Sequence, residues 1–468
     1  VNDADLVVLG AGPGGYAAAF RAADLGLQVT LVDPEPEPGG ACLFRGCIPS
    51  KALLHQAALI EEAKEAAERG IAFGPPTIDL ERLRSWKDGV VRTLTGGLGK
   101  LAQSRGVTRI RGRGSFVDTG LLEVAGESGD RRQIRFRNCI LATGARPAVV
   151  PGLDSESPLV MNSTEALDLP DVPPRLLVVG GGYIGLELAT LYATLGSKVT
   201  IVELTSTLLA GADRDLVRVL VKRLGSRMAA ILLETKVADV TLGAADCRVR
   251  FEGKVDEPEQ TFDRILVATG RKPNSSGLGL KHTKVRTDDR GFIQVDAQRR
   301  TAEPNVWAIG DVAGEPMLAH KATHEGVTAA EVVAGKNVVF EPSAIPAVVF
   351  TDPEIAWCGL TEEQAEREGR SVATGRFPWA ASGRALTIAR PEGLTKVLVD
   401  PASKRILGVG IVGHGSGELI GEAVAAIEMG ATAEDLALTI HPHPTLSETL
   451  MEAADAVFGR SVHVHKRR

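Results

Sequence analysis

DLVVLGAGPGGYAAAFRAADLGLQVTLVD, residues 5–33, decides the fold. Residues 5–9 form a short apolar run, read as a buried strand, and it passes into GAGPGG with Gly10, Gly12 and Gly15. An alanine-rich segment of helical texture follows, and a second apolar run closes on Asp33, at the distance of about 20 residues that a dinucleotide fingerprint requires. The glycines allow a tight turn and close approach of the backbone to a pyrophosphate. The helix N-terminus offers the same anion its free N–H groups, and the carboxylate meets the ribose hydroxyls. A glycine triplet alone is explained by tight helix packing. Strand, helix, strand and acid in order are not.

The unit recurs. RLLVVGGGYIGLELATLYATLGSKVTIVE, residues 175–203, repeats the order with Gly180, Gly182, Gly185 and a closing Glu203. Each copy is followed later by a strand with a matching tag: NCILATGARP around Thr143 and Gly144, and RILVATGRKP around Thr269 and Gly270. Two Rossmann-like dinucleotide units in one chain imply two nucleotides held at once. No arginine follows Glu203 before Arg214, and a carboxylate there accepts a free 2'-hydroxyl and repels a 2'-phosphate, which predicts NAD rather than NADP at the second site.

Between the first fingerprint and its tag lies GGACLFRGCIPSKALL, residues 39–54, with Cys42 and Cys47 in a glycine-bounded turn leading into a helix-forming segment that carries Lys51. A structural bridge over so short a loop removes only about 2 kcal/mol of chain entropy. That is little help to a chain long enough to bury several cores. Zinc requires further cysteines or histidines at short spacing, and Cys139, Cys247 and Cys358 stand singly and far apart. Two unconnected buried cysteines remain open as a reading, against which Gly46, Pro49 and Ser50 look turn-like rather than core-like. A redox dithiol is the leading reading.

The 468 residues carry a net charge of -6 and only 4% aromatic residues. An acidic chain without a basic stripe or stacking platforms does not suit nucleic acid. No apolar run reaches the roughly 18 residues of a membrane-spanning helix. The first strand begins within a few residues of Val1, with no charged segment and apolar core of a signal peptide before it, which leads to the expectation of a mature chain. Five cysteines are too few for a secreted disulfide framework, and a reducing compartment favours a catalytic role for any disulfide that forms.

HQAALIEEAKEAAERG reads as a helix with a solvated charged face. AIGD places Asp311 just past an apolar strand, and an alanine-rich helix follows, on which His320 and His324 stand one turn apart without an evident third ligand for a metal. From about residue 342 the texture becomes α+β with no nucleotide motif: broken strands in IPAVVFTDPEIAWCGL, a helix capped by Thr361 and stopped by Gly369, paired strands in TKVLVD and RILGVGIVG, and a helix in GELIGEAVAAIEMG. Such a segment suits assembly. In the closing LTIHPHPTLSETLMEAADAV, Pro442 and Pro444 stiffen a loop bearing His441 and His443. Spacing leaves His443 open between a catalytic base and a loop residue, since Thr445 to Glu448 also fits a helix-capping pattern.

Together GGACLFRGCIPSKALL, GGGYIGLELA, AIGDVAGEPMLAHKA and HPHPTLSE resemble the pyridine nucleotide-disulfide oxidoreductases, most closely the branch that oxidises dihydrolipoamide. The resemblance runs through essentially the whole chain. It implies an α/β fold of an FAD-binding domain (1–148), an NAD-binding domain (149–270), a central domain completing the FAD site (271–341) and an interface domain (342–468), in a homodimer whose active site uses both chains. By the same resemblance Cys47 faces the flavin and Cys42 exchanges with substrate. His443 of the partner subunit serves as base, oriented by Glu448, and Lys51 pairs with Glu187 near the flavin ring. Asp311 takes the ribityl chain, Gly114 and Met317, Leu318, Ala319 and His320 line the FAD, and Val237 and Gly270 line the NAD. The implied donor is the lipoyl domain of a 2-oxo acid dehydrogenase or glycine cleavage complex, in the cytoplasm, or in the mitochondrial matrix of a eukaryote. The chain departs from the family at Phe44 and Arg45, often Asn-Val, and at Asp33, often Glu. Arg45 beside the dithiol is expected to lower a thiol pKa. Related reductases of glutathione usually prefer NADP, against Glu203, and those of mercuric ion carry a C-terminal cysteine pair that this chain lacks. A scaffold that keeps its nucleotide for stability is the alternative of another class, and would show no dihydrolipoamide oxidation.

Overall fold

The computed structural model describes residues 2–153 and 157–464; Val1 lies outside them. Its architecture is α/β, with five sheets among the described residues, three of them of five or more strands. In the first sheet the strands run Thr108–Arg111, Val29–Asp33, Asn2–Leu9, Arg131–Leu141, Leu121–Ala125, Arg113–Asp118. The 11-residue strand Arg131–Leu141 takes Leu121–Ala125 antiparallel along its first half and Val306–Ala308 parallel along its second. Leu6, Val7, Val8 and Leu9 are all fully or nearly fully buried because this central strand is covered on both faces. Helix Pro13–Asp24 packs Ala18, Ala19 and Ala22 on one face, and helix Ala319–Val333 lays Ala329 and Ala330 into the same core.

The second sheet is wholly parallel, in the order Ala230–Leu232, Lys198–Val202, Arg175–Val179, Arg264–Val267, Val160–Asn162. Its helix Tyr183–Leu195 is buried without a break from Gly185 to Tyr192, since the helix Cys47–Ala66 covers the side turned away from the sheet. The repeated tags meet physically: Ala145–Pro147 and Arg271–Pro273 form a two-stranded antiparallel ribbon, with Lys272 opposite Arg146. The C-terminal sheet is antiparallel, in the order Ala347–Val349, Glu354–Gly359, Ile406–Gly413, Leu394–Val399, Ala373–Pro378. Thr361 caps the helix Glu362–Arg367 by accepting the Gln364 N–H at 3.1 Å. Val349, Ile355 and Val412 from this sheet join Leu53, Leu54 and Leu186 in one core, so the C-terminal unit is bound into the redox region by apolar packing. Among the described residues no helix is long and apolar enough to cross a membrane.

Candidate active site

Cys42 and Cys47 sit on helices rather than in a turn. Cys42 belongs to the short helix Gly40–Arg45, Gly46 interrupts it, and Cys47 opens the 20-residue helix Cys47–Ala66. Pro49 is compatible because the first-turn N–H groups of a helix have no acceptor within it. Ser50 Oγ donates to the Cys47 carbonyl at 3.1 Å across that turn. Both cysteines are free thiols; Cys47 opens onto a cavity and Cys42 is partly covered. The thiol hydrogen bond with Cys42 draws Cys47 down to about 7, burial and Glu187 opposing and Lys51 assisting. The same bond, with burial, pushes Cys42 far up. One sulfur is poised as thiolate and the other as thiol.

Lys51 follows one turn after Cys47. Its Nζ donates to Glu187 Oε1 at 2.9 Å and Oε2 at 2.7 Å, joining the redox helix to the helix after the second glycine set. The Phe350 N–H donates to the same Oε1 at 3.0 Å, and the Lys51 ammonium lies 4.6 Å from the Phe350 ring centroid. Arg45 turns instead to Glu35, 2.5 Å away. It does not figure among the groups that shift either thiol.

A cavity of 1020 Å³ runs from these thiols along the first fingerprint. Gly10, Gly12, Asp33 and Gly114 line it, as do Thr143 and Gly144 of the first tag. Cys42, Cys47, Lys51 and Glu187 close one side, and Asp311, Met317 and Ala319 another. Leu318 instead precedes helix Ala319–Val333 as its N-cap, His320 Nε2 lies 2.8 Å from the Pro346 carbonyl, and Gly15 packs against Gly10. A second cavity of 590 Å³ shares Asp33 and Glu35 with the first and extends past Ala11 toward Arg109 and Arg111. Asp33 accepts the Ala11 N–H at 2.6 Å and the Glu35 N–H at 2.8 Å, and burial raises its carboxyl above the ordinary range. Asp311 is held from below: Gly310 N donates to the fully buried Glu325 at 2.6 Å, and Arg299 and Lys321 neutralise that carboxylate. Burial raises Asp311 as well, with Arg271 and Lys321 pulling the other way.

These residues fit an extended dinucleotide. Gly10 has φ +101° and a Cβ there would stand 2.2 Å from the Ala142 carbonyl oxygen, so only glycine lets the chain turn beneath the cavity. The helix beyond it has no side-chain cap, which leaves its N–H groups for an anion. The second set matches: Gly180 has φ +113°, Gly182 opens an uncapped helix, and Gly185 packs on Gly180. Glu203 accepts the Gly181 N–H at 2.7 Å and the Thr205 N–H at 2.8 Å. Gly270, at φ +132°, lies between the strands Arg264–Val267 and Arg271–Pro273, and Val237 stands at a bulge in the strand Thr235–Leu242. Tyr183, from the second fingerprint, lines the first cavity, and burial raises its phenol to about 12.

His443 and Glu448 lie elsewhere in the same chain. His443 Nδ1 is 2.9 Å from Glu448 Oε1, its side chain is 79% exposed, and it does not line the cavity. Glu448 Oε2 also accepts the Thr445 N–H at 2.8 Å, half of the capping pattern, while the Thr445 hydroxyl donates to the Pro442 carbonyl instead. Burial raises the Glu448 carboxyl, but Thr445 and His443 outweigh it and leave it below the usual range.

Sequence reading passed over three residues. Tyr183 and Arg271 each follow a motif glycine directly, a position that was available as a signal. Phe350 gave none, since its contact with Glu187 spans 163 positions.

A family model described as pyridine nucleotide-disulphide oxidoreductase matches residues 4–326, and its dimerisation-domain counterpart matches residues 345–454. The chain is 48% identical over 458 residues to the dihydrolipoyl dehydrogenase of Vibrio cholerae, covering 97% of this chain and 96% of that one. It is 44% identical to dihydrolipoyl dehydrogenase 3 of Haloarcula marismortui, over 98% and 97% of the two chains. Among solved structures it is similar to LpdA of Mycobacterium tuberculosis, with a TM-score of 0.89 and 27% identity over 97% of this chain and 99% of that one. It is also similar to the HOCl-induced flavoprotein disulfide reductase RclA of Escherichia coli, with a TM-score of 0.86 and 28% identity over 97% and 99%. Two glycine-cradled dinucleotide sites, a thiol pair facing one of them and near-complete coverage by both models lead to one conclusion: the chain belongs to the pyridine nucleotide-disulphide oxidoreductase family.

Proposed function

We propose that this chain is the enzyme that oxidises a protein-bound dihydrolipoyl group to its disulfide and reduces NAD. The observation that carries the reading is the split pair of thiols, one pulled to about 7 and its neighbour kept protonated, on the wall of a cavity with room for FAD. The naming of relatives at 43–48% identity as dihydrolipoyl dehydrogenases supplies the substrate class. FAD held along Gly10, Gly12, Asp33 and Asp311 would supply the two-electron relay between the dithiol and nicotinamide.

The chain's own residues do the rest. In the oxidised enzyme Cys42 and Cys47 share a disulfide. His443 of the partner subunit takes the proton of one substrate thiol, and the resulting thiolate attacks the Cys42 sulfur and displaces Cys47 as thiolate. The second substrate sulfur then attacks the first, closing the substrate disulfide and releasing Cys42, which carries away a proton. Glu448 orients the imidazole through Nδ1. Lys51, tied to Glu187, keeps a positive charge beside the Cys47 thiolate and the flavin ring.

Asp33 is assigned to the FAD ribose through its backbone-anchored carboxylate, Asp311 to the ribityl chain, and Glu203 with Gly180, Gly182, Val237 and Gly270 to NAD. The four domains divide at 148, 270 and 341. The lipoyl domain of a 2-oxo acid dehydrogenase or glycine cleavage complex is the assigned donor. The cytoplasm is the assigned compartment, because a disulfide found in a reducing compartment is usually a catalytic one.

Steady-state oxidation of dihydrolipoamide with NAD tests the reading, alongside Cys42→Ser. The variant is expected to retain bound yellow flavin and NADH-to-dye activity while lipoamide turnover disappears. Full turnover in Cys42→Ser, or a wild-type chain that binds FAD and leaves dihydrolipoamide untouched, would overturn it.

A further inference from the structure

We infer that Phe350, on the C-terminal unit, is a positioning residue of the redox centre: its ring and its peptide N–H fix the Lys51–Glu187 pair against the thiols. The inference rests on the reading of Cys47 as the redox thiolate. Three elements meet here. Lys51 comes from the helix Cys47–Ala66, Glu187 from the helix Tyr183–Leu195, and Phe350 from the residue after the strand Ala347–Val349. The ring holds the ammonium at 4.6 Å from its centroid while the N–H holds Glu187 Oε1 at 3.0 Å, so one residue grips both members of the ion pair.

The chemistry needs such a grip. A lysine on a four-carbon stem that chelates a carboxylate at 2.7 Å and 2.9 Å tends to lean toward that partner, and its effect on a neighbouring sulfur falls with distance. An aromatic face attracts the ammonium without contributing a charge or a titrating group. The second donor to Oε1 satisfies part of the carboxylate's demand. Val349, 1% exposed, sits in the core with Leu53 and Leu186, so the mount is rigid.

The titrating groups that Lys51 meets are Cys42 and Cys47 on its own segment, Glu187 on the facing helix and Glu354 from the C-terminal unit; Tyr183 stands by Cys47 and Glu187, and Glu418 by Glu354. Burial raises the Glu354 carboxyl, which also accepts the Gly417 N–H at 2.8 Å. Loss of the ring releases Lys51 toward these carboxylates and away from Cys47.

The test uses the flavin-loaded, reduced homodimer. Iodoacetamide alkylation is followed across pH 5 to 9, with Cys47 labelling located by peptide mass mapping. Phe350→Leu is expected to raise the midpoint of Cys47 labelling by about half a pH unit, which slows labelling about two-fold at neutral pH and about three-fold well below the midpoint. Phe350→Tyr, which keeps the ring, is expected to label as wild type. Where Leu leaves the protein unfolded, Phe350→Met makes the same comparison. Leu or Met variants that label as wild type overturn the inference, and so does a Tyr variant as slow as they are, since packing alone would explain it. A wild-type enzyme in which Cys47 shows no thiolate near neutrality overturns the parent reading along with this one.

Discussion

Two identical side chains are given different work by what surrounds them. The Cys42 thiol hydrogen bond and the Lys51 ammonium stabilise negative charge on Cys47, whose ionised fraction therefore rises through about pH 7, whereas Cys42 gives its proton up only under far more alkaline conditions. A substrate thiol has an ordinary pKa of about 8.5 and needs a base at the same pH. His443 is assigned that task because its Nδ1 is held by Glu448, while Nε2, on an exposed loop, has no partner among the described residues. Replacing His443 with glutamine is expected to cut dihydrolipoamide turnover by about 100-fold or more, the scale of a lost general base, with flavin content unchanged. Turnover within a few-fold of wild type would leave His443 and Glu448 as supports for the loop.

At the level of elements, the two glycine turns do equivalent mechanical work on different ligands. Gly180 has φ +113° and a Cβ there would stand 2.5 Å from the Ala268 carbonyl oxygen. Gly180→Ala is expected to weaken NAD binding about ten-fold or more, the measure of one strained residue, while bound flavin per chain stays at its wild-type level. KM for NAD and the visible absorbance check it; equal loss of both would mean that the turn props up the whole fold. These turns, their strands and the closing acids were legible because each is a local pattern with a local cause. The 25-residue helix Leu80–Ser104 was not: Gly89, Gly96, Gly97 and Gly99 depress helix propensity, and its buried stripe of Lys87, Val91, Thr95, Gly99 and Ala102 is too polar to stand out. Cys42 and Cys47 were read in a turn because Gly46 and Pro49 signal one, whereas each residue works equally well as a break and a first-turn position between two helices. The ribbon between Ala145–Pro147 and Arg271–Pro273 was visible as a repeat but not as a contact, since pairing over that separation leaves no periodicity.

Across the whole molecule, one buried ammonium adds an ionic tie to the apolar joint between the second nucleotide unit and the C-terminal unit. Lys396 is 0% exposed, and its Nζ lies 2.6 Å from Asp213, 2.7 Å from Asp215 and 2.8 Å from Glu362. Among the described residues these three carboxylates are the group arranged as a metal would need, and the lysine already stands among them. Arg376 adds a second cation on Asp215 and Glu362. Burial opposes charge on Lys396, but three carboxylates raise its pKa, so its contribution is complete below the unfolded value of about 10.4 and is lost as pH climbs through the higher folded one. Burial raises Glu362 and the two cations outweigh it, leaving its folded pKa lowered; its contribution is complete above about 4.3 and is lost as pH falls through the folded value. The joint is therefore strongest between those limits and opens at both ends. Lys396→Met leaves three carboxylates, two of them paired with Arg376, and is expected to cost about 3 to 5 kcal/mol, the usual penalty for removing one partner of a buried pair. Thermal unfolding followed by both flavin release and circular dichroism is expected to start earlier at neutral pH. The gap from wild type is expected to narrow as pH falls below about 4.3 and through the lowered Glu362 value, where the protonated carboxyl no longer needs the lysine. A gap that stays constant down through that value would assign the loss to packing of the lysine stem rather than to its charge.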